Sequence, residues 1–139
     1  MNVTIYSDGA SRGNPGDSAI AYMILDEAGK VLKKHARYLG KRTNNQAEYE
    51  ALISALTAAA QITNQNVTCK LDSELVAKQL NGLYRVRNPE LKPLWQKAQQ
   101  LKQKYKKVAF THTARTNPHI QEVDLAANHI LNKVTKTNT

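Results

Sequence analysis

Three apolar–polar alternating runs fill the first 39 residues, and the segments between them are too short for a crossover connection. Residues 2–8 carry Val3-Thr4-Ile5-Tyr6-Ser7 and end on Asp8. Residues 18–27 form a second run, and Ala28-Gly29 turns the chain into a third, residues 30–39. Strands joined this closely pair antiparallel, because a parallel return needs a dozen or more connecting residues. From Asn44 the period changes. Ala47, Ala51, Leu52, Ala55, Leu56 and Ala59 recur at three-to-four spacing, which predicts a helix from Thr43 or Asn44, either of which suits the N-cap, to about Thr63-Asn64. Gly40 to Thr43 is read as a break between them.

Later strands are separated by helices. Val67–Leu71 is a short apolar strand ending at Asp72. Ser73 can cap a helix over Glu74–Leu80, stopped by Asn81-Gly82. Tyr84–Pro89 is an extended basic segment. A helix over Glu90–Tyr105 tolerates Pro93 in its first turn. Lys106–His112 is a final strand, Thr113–Gln121 a loop, Glu122–Val134 a last helix, and residues 135–139 a polar, frayed tail. The order β-β-β-α-β-α-α-β-α predicts an α/β fold. Its mixed five-stranded sheet has three antiparallel strands followed by parallel ones, with helices on both faces. With 139 residues, no repeat and no linker, residues 1–134 are expected to form one domain.

The chain carries a formal net charge of +9 and only eleven acidic residues, so a polyanionic partner is favoured, nucleic acid before membrane. No apolar run is long enough to span a bilayer. The lone Cys69 cannot form an internal disulfide, and no Cys/His cluster has zinc spacing. A cytoplasmic protein that acts as a monomer is expected.

Four of the acids resist a bland reading. Asp8 and Asp72 each end an apolar strand, and parallel neighbours would bring both to the sheet edge where α/β ligand sites form. Glu48 shares the inner helix face of Leu52 and Ala55. Asp124 opens the last helix beside Leu125, Ala126 and Ala127, on what should be its inner face. Each alone could be a capping group or lie on a solvated face, and Glu48 and Asp124 could both be ordinary first-turn acids. Packed together, four carboxylates repel unless cations neutralise them. Magnesium, a hard ion held by a few carboxylates and substrate phosphate oxygens, suits such a set. Two such ions would clamp the two sides of a phosphodiester being hydrolysed.

Tyr6-Ser7-Asp8-Gly9-Ala10-Ser11-Arg12-Gly13-Asn14-Pro15-Gly16, Thr43-Asn44-Asn45-Gln46-Ala47-Glu48-Tyr49, Leu71-Asp72-Ser73 and Val123-Asp124-Leu125-Ala126 together resemble type 1 ribonuclease H. The resemblance covers nearly the whole chain, in order and spacing, and is nearest to a shorter form similar to archaeal-type members. It implies an endonuclease that cuts the RNA strand of RNA–DNA hybrids with magnesium, or manganese in its place, leaving 5′-phosphate and 3′-hydroxyl ends. It implies Asp8, Glu48, Asp72 and Asp124 as the metal-binding catalytic quartet. It places Asn14, Asn44 and Asn45 in the minor groove, where amides both donate to and accept from the 2′-hydroxyl that marks RNA. It places Thr43, with Lys41 or Arg42 nearby, on a DNA-strand phosphate.

Arg85 and Arg87 alternate in the basic segment that replaces a longer protrusion of some relatives, and are candidate substrate contacts. In the loop before Asp124, relatives carry a His or an Arg that assists proton transfer or product release. Arg115 matches the Arg of one branch, and His119 is the second candidate. Ile120 departs from the Asn of many relatives. Double-stranded RNA is a further candidate substrate. The rival readings are a non-catalytic hybrid- or double-stranded-RNA-binding module, and another nuclease of the same fold acting on double-stranded RNA or DNA junctions. A chelator-controlled cleavage assay separates the first, and a comparison of substrates the second.

Overall fold

The structure, a computed structural model, describes residues 1–137. Its elements are β1 (Val3–Gly13), β2 (Gly16–Leu25), β3 (Val31–Arg42), α1 (Asn44–Ala59), β4 (Asn66–Leu71), α2 (Glu74–Leu80), α3 (Lys92–Lys102), β5 (Lys107–His112) and α4 (Pro118–Thr137). The strands form one sheet in the order β3-β2-β1-β4-β5. β1, β2 and β3 pair antiparallel, whereas β4 pairs parallel to β1 and β5 parallel to β4. The α/β class, the element order and the mixed sheet are those the sequence predicts.

Strand alternation sorts the core into two layers. Val3 and Ile5 of β1, with Ile20, Tyr22 and Ile24 of β2, face α1, α2 and α3. Tyr6, with Ala19, Ala21, Met23 and Leu25, faces Ile120, Val123, Ala127 and Leu131 of α4. Two-sided burial explains why β2 reads as a nearly continuous apolar run. The sheet edge β3 is instead mostly exposed and basic, the kind of edge that resists pairing with another chain.

Several boundaries differ from the sequence reading, and α1 ends at Ala59, short of Thr63-Asn64. β1 does not stop at Asp8. Its glycine-rich continuation pairs in register with β2, from Gly9↔Ile20 to Gly13↔Gly16, leaving only Asn14-Pro15 as the turn. Gly13 sits at φ +103°, where a side chain would be strained. β3 continues through Gly40 to Arg42 because a bulge between the partners of Ser18 and Ala19 absorbs one residue instead of ending the ladder. α3 is shorter than expected at both ends. α4 begins at Pro118, four residues early, because Asn117 caps it: its Oδ1 accepts the His119 and Ile120 N–H groups at 2.9 and 3.3 Å. Pro118 then takes the first helical position, where no N–H is needed. The helix also runs through Thr137, into the segment expected as a tail; residues 138 and 139 lie outside the described residues. No helix among the described residues is long and apolar enough to cross a membrane.

Candidate active site

The parallel register of β1 with β4 sets Ser7 opposite Leu71, so the next residues, Asp8 and Asp72, emerge side by side. Glu48 arrives from α1, and Gly9 lets it. A Cβ on Gly9 would lie 2.2 Å from the Ala47 carbonyl carbon and 2.5 Å from the Glu48 nitrogen. Only a glycine admits the helix this close to the strand. The Gly9 N–H then donates to Glu48 Oε1 at 3.1 Å. One carboxylate oxygen from each of Asp8, Glu48 and Asp72 falls within 4.8 Å of the others.

Asp8 is 3% exposed and Glu48 9%. Burial, reinforced by the charges of Glu48 and Asp72, pushes the Asp8 carboxyl far above the usual carboxylate range. Burial also raises Glu48, partly offset by hydrogen bonds from Asp8 and the Gly9 N–H. Both shifts favour the protonated form of these carboxyls when no cation is present. Crowded, buried, all-oxygen donors are what a hard divalent ion requires, so these residues fit one.

Asp124 stands differently. It lines the same cavity, of about 380 Å³, but from the exposed side of α4 and not from the inner face that the sequence predicts, which Ile120, Val123, Ala127 and Leu131 occupy. Asn128, one turn along, donates from Nδ2 to the Asp124 backbone oxygen at 3.0 Å and to Oδ1 at 3.3 Å. The Asp124 carboxylate is a further, smaller influence that favours the protonated form of Asp8. Arg115 lies on the rim, its Nε 3.4 Å from Asp72 Oδ2, with its side chain 88% exposed.

The remaining candidates divide. Asn44 and Asn45 line the acid cavity. The Asn44 N–H donates to Asn14 Oδ1 at 3.0 Å, which ties the β1–β2 turn to the start of α1. Thr43 caps α1, accepting the Gln46 N–H at 3.2 Å while the Gln46 side chain accepts the Thr43 N–H at 2.9 Å. Lys41 lies on β3 opposite Asp17, outside the cavity lining. Arg85 and Arg87 are also outside it; Arg85 lines a separate hollow with Tyr84 and Trp95. His119 does not reach the acids: its ring packs on Tyr6 with centroids 4.7 Å apart, outside the cavity lining. Gln121 does line the cavity. It lies one helical turn before Asp124, a relation hidden while residues 113–121 are read as a loop.

The chain matches the family model described as reverse transcriptase-like over residues 6–130. It is 37% identical over 129 residues to ribonuclease HI of Halobacterium salinarum, covering 93% of this chain. A crystal structure of RNase H1 from that archaeon matches with TM-score 0.91 and 36% identity, covering 96% of this chain and 99% of that one. The chain belongs to the ribonuclease H family. A structure of LC11-RNase H1 in complex with an RNA/DNA hybrid matches with TM-score 0.90 and 35% identity, over 96% of this chain and 99% of that one. The chain spans 64% of the length of the curated halobacterial ribonuclease HI. Ribonuclease H enzymes use divalent metal, and the Asp8–Glu48–Asp72 cluster offers a set of ligand atoms for it.

Proposed function

We propose that this chain is an endoribonuclease that hydrolyses the RNA strand of RNA–DNA hybrids, leaving 5′-phosphate and 3′-hydroxyl ends. The observation that carries the reading is the meeting of three carboxylates beside the Asn14–Asn44–Asn45 cluster. Chemistry and strand reading would then share one cavity.

Asp8, Glu48 and Asp72, with Asp124 from the rim, would hold magnesium, two ions with substrate bound, and manganese could replace it. When bound, the ions supply Lewis-acid stabilisation of phosphate charge and lower the pKa of water. The protein's own work is positional. Asp8 and Glu48, whose burial favours protonation, would ionise to hold the cations. The fixed strand ends and the Gly9 contact hold the donors in place without reorganisation. Asn14 spends its carbonyl oxygen on Asn44, which leaves its NH₂ group to donate to the minor groove. Asn45 offers both donor and acceptor to the ribose 2′-hydroxyl. The Asn45 N–H, beside neighbours that already donate to Asn14 and Thr43, would receive a DNA-strand phosphate together with Thr43 and Lys41.

Arg115, already against Asp72, is placed to move between that acid and the product phosphate; His119 is stacked away from both. Arg85 and Arg87 would meet phosphates farther along the duplex. Every group named comes from one chain, so the reading needs no second copy. The test is end-group analysis after incubation with labelled hybrid, double-stranded RNA and DNA duplex, each with magnesium and with manganese. Cuts confined to RNA paired with DNA, with 5′-phosphate ends, support the reading. Cleavage of the DNA strand, or 3′-phosphate ends, refute it.

A further inference from the structure

We infer that the protein carries a second phosphate-binding site, separate from the acid cavity, that takes the sugar–phosphate backbone of a nucleic acid. It lies between β3 and the second half of α1, in a cavity of about 400 Å³. Lys33, His35 and Arg37 alternate along β3, so all three face the helix side of the sheet. Lys97 of α3 joins them, and Ser54 and Thr57 of α1 add hydroxyls.

The charge pattern is what distinguishes this cavity. Two other cations of β3 meet acids: Lys34, on the opposite face, lies 3.7 Å from Glu122, and Arg42 lies 3.3 Å from Glu50. Among the described residues, no carboxylate lines the β3–α1 cavity. Converging cations repel one another unless an anion joins them. Arg37 is also held in place, donating from Nη2 to Ser54 Oγ at 2.7 Å. Lys33 and Arg37, four residues apart on one face of the strand, stand roughly 13 Å apart, a span that reaches separate phosphates of one backbone; between them the His35 ring lies 5.6 Å from that of Tyr22. A free anion would need one fixed point; a row along a strand edge fits a polymer.

Thr57 lies thirteen residues beyond Asn44 in α1, roughly 20 Å along the helix axis, so binding here is separable from cleavage. The choice of nucleic acid as ligand rests on the proposed function, but the test needs no cleavage. A 20-base-pair DNA duplex, which the proposed activity leaves intact, is titrated into the ¹⁵N-labelled protein. Binding is also measured by anisotropy across a salt series. Amide resonances of Lys33 to Arg37 and Ser54 to Thr57 are expected to shift. In the triple variant Lys33→Gln, Arg37→Gln, Lys97→Gln those shifts should vanish and affinity at low salt should fall roughly tenfold. The salt slope should drop by about 0.9 for each phosphate that the variant no longer neutralises. A control with Lys104→Gln, Lys106→Gln and Lys107→Gln has the same net charge and should bind more nearly like wild type.

Still β3 resonances during DNA binding, equal weakening of the two triple variants, or shifts produced by tripolyphosphate but not by DNA would each overturn the inference. Failure of the proposed function would show instead as an uncut hybrid, whatever happens at β3.

Discussion

The acid cavity has two halves that are built differently. Asp8, Glu48 and Asp72 stand on backbone that cannot easily move: two paired parallel strand ends and a helix seated on Gly9. Asp124 and Arg115 stand on the rim, held by side chains, the first by Asn128 and the second by its ion pair with Asp72. α4 is in turn clasped to the β1–β2 hairpin by Arg12, which donates to the Asn128 carbonyl at 3.3 Å and to Asn132. The buried half accepts an electrostatic penalty for fixed geometry. The exposed half gives up rigidity for access. Preorganised charge belongs where the chemistry needs no motion, and adjustable groups belong where substrate enters and product leaves.

The sharpest way to break this contrast is in the buried half. Asp8→Asn should lower hybrid cleavage more than about a hundredfold, since metal-held charge supplies several kcal/mol to such reactions. The same change should make the metal-free protein more stable at neutral pH. The sign follows from the raised Asp8 pKa. Folding binds that proton more tightly than the unfolded chain does, so the associated stability is present below the ordinary value of 3.8 and is lost as pH rises above it. Melting temperature of the chelated wild type should therefore fall from pH 5 to pH 8, with a shallower fall in Asp8→Asn and in wild type with magnesium. A wild-type melting curve indifferent to both pH and magnesium would contradict a strained acid cluster.

Gly9→Ala is next in size. The added carbon collides with backbone, not with a flexible side-chain end. Overpacking of this kind costs about 1–3 kcal/mol, and moving α1 also withdraws Glu48. Thermal unfolding and cleavage should both suffer, unlike Asp8→Asn, where stability and activity move in opposite directions. On the rim, Arg115→Ala should slow cleavage by about tenfold, the loss of about 1.4 kcal/mol from the barrier, and leave the melting temperature unchanged, because an ion pair this exposed contributes little to folding. His119→Ala should leave the cleavage rate near that of wild type. A larger loss from His119→Ala than from Arg115→Ala, in steady-state assays on one hybrid, would reverse the assignment between them.

The two halves also differ in how far they can be read from residues alone. Asp8 and Asp72 are legible because an alternating strand that ends on an acid tells where the side chain emerges. Glu48 is legible because its helix face is marked by Leu52 and Ala55. The glycine-rich segment after Asp8 misleads, since small residues suit a loop and a tightly packed hairpin equally. Only the partner strand's register shows that Gly9 to Gly13 remain in the ladder. Before Asp124 a signal does exist in Asn117-Pro118, an N-cap followed by a first-turn proline, yet the apolar period that starts at Ile120 is too short to announce itself. Without that turn Gln121 is hidden and His119 stays a candidate. The packing of His119 on Tyr6 is a tertiary contact that no local pattern encodes.

The most direct measurement is cleavage of an end-labelled RNA–DNA hybrid by the wild type and by folded Asp8→Asn, across matched magnesium titrations with a chelator control. The wild type should cut only the RNA strand and only with metal, while Asp8→Asn binds the hybrid and leaves it intact. Cleavage by Asp8→Asn at the wild-type rate, or cleavage by the wild type in chelator, would show that the carboxylates meeting at Asp8 are not the centre of the reaction.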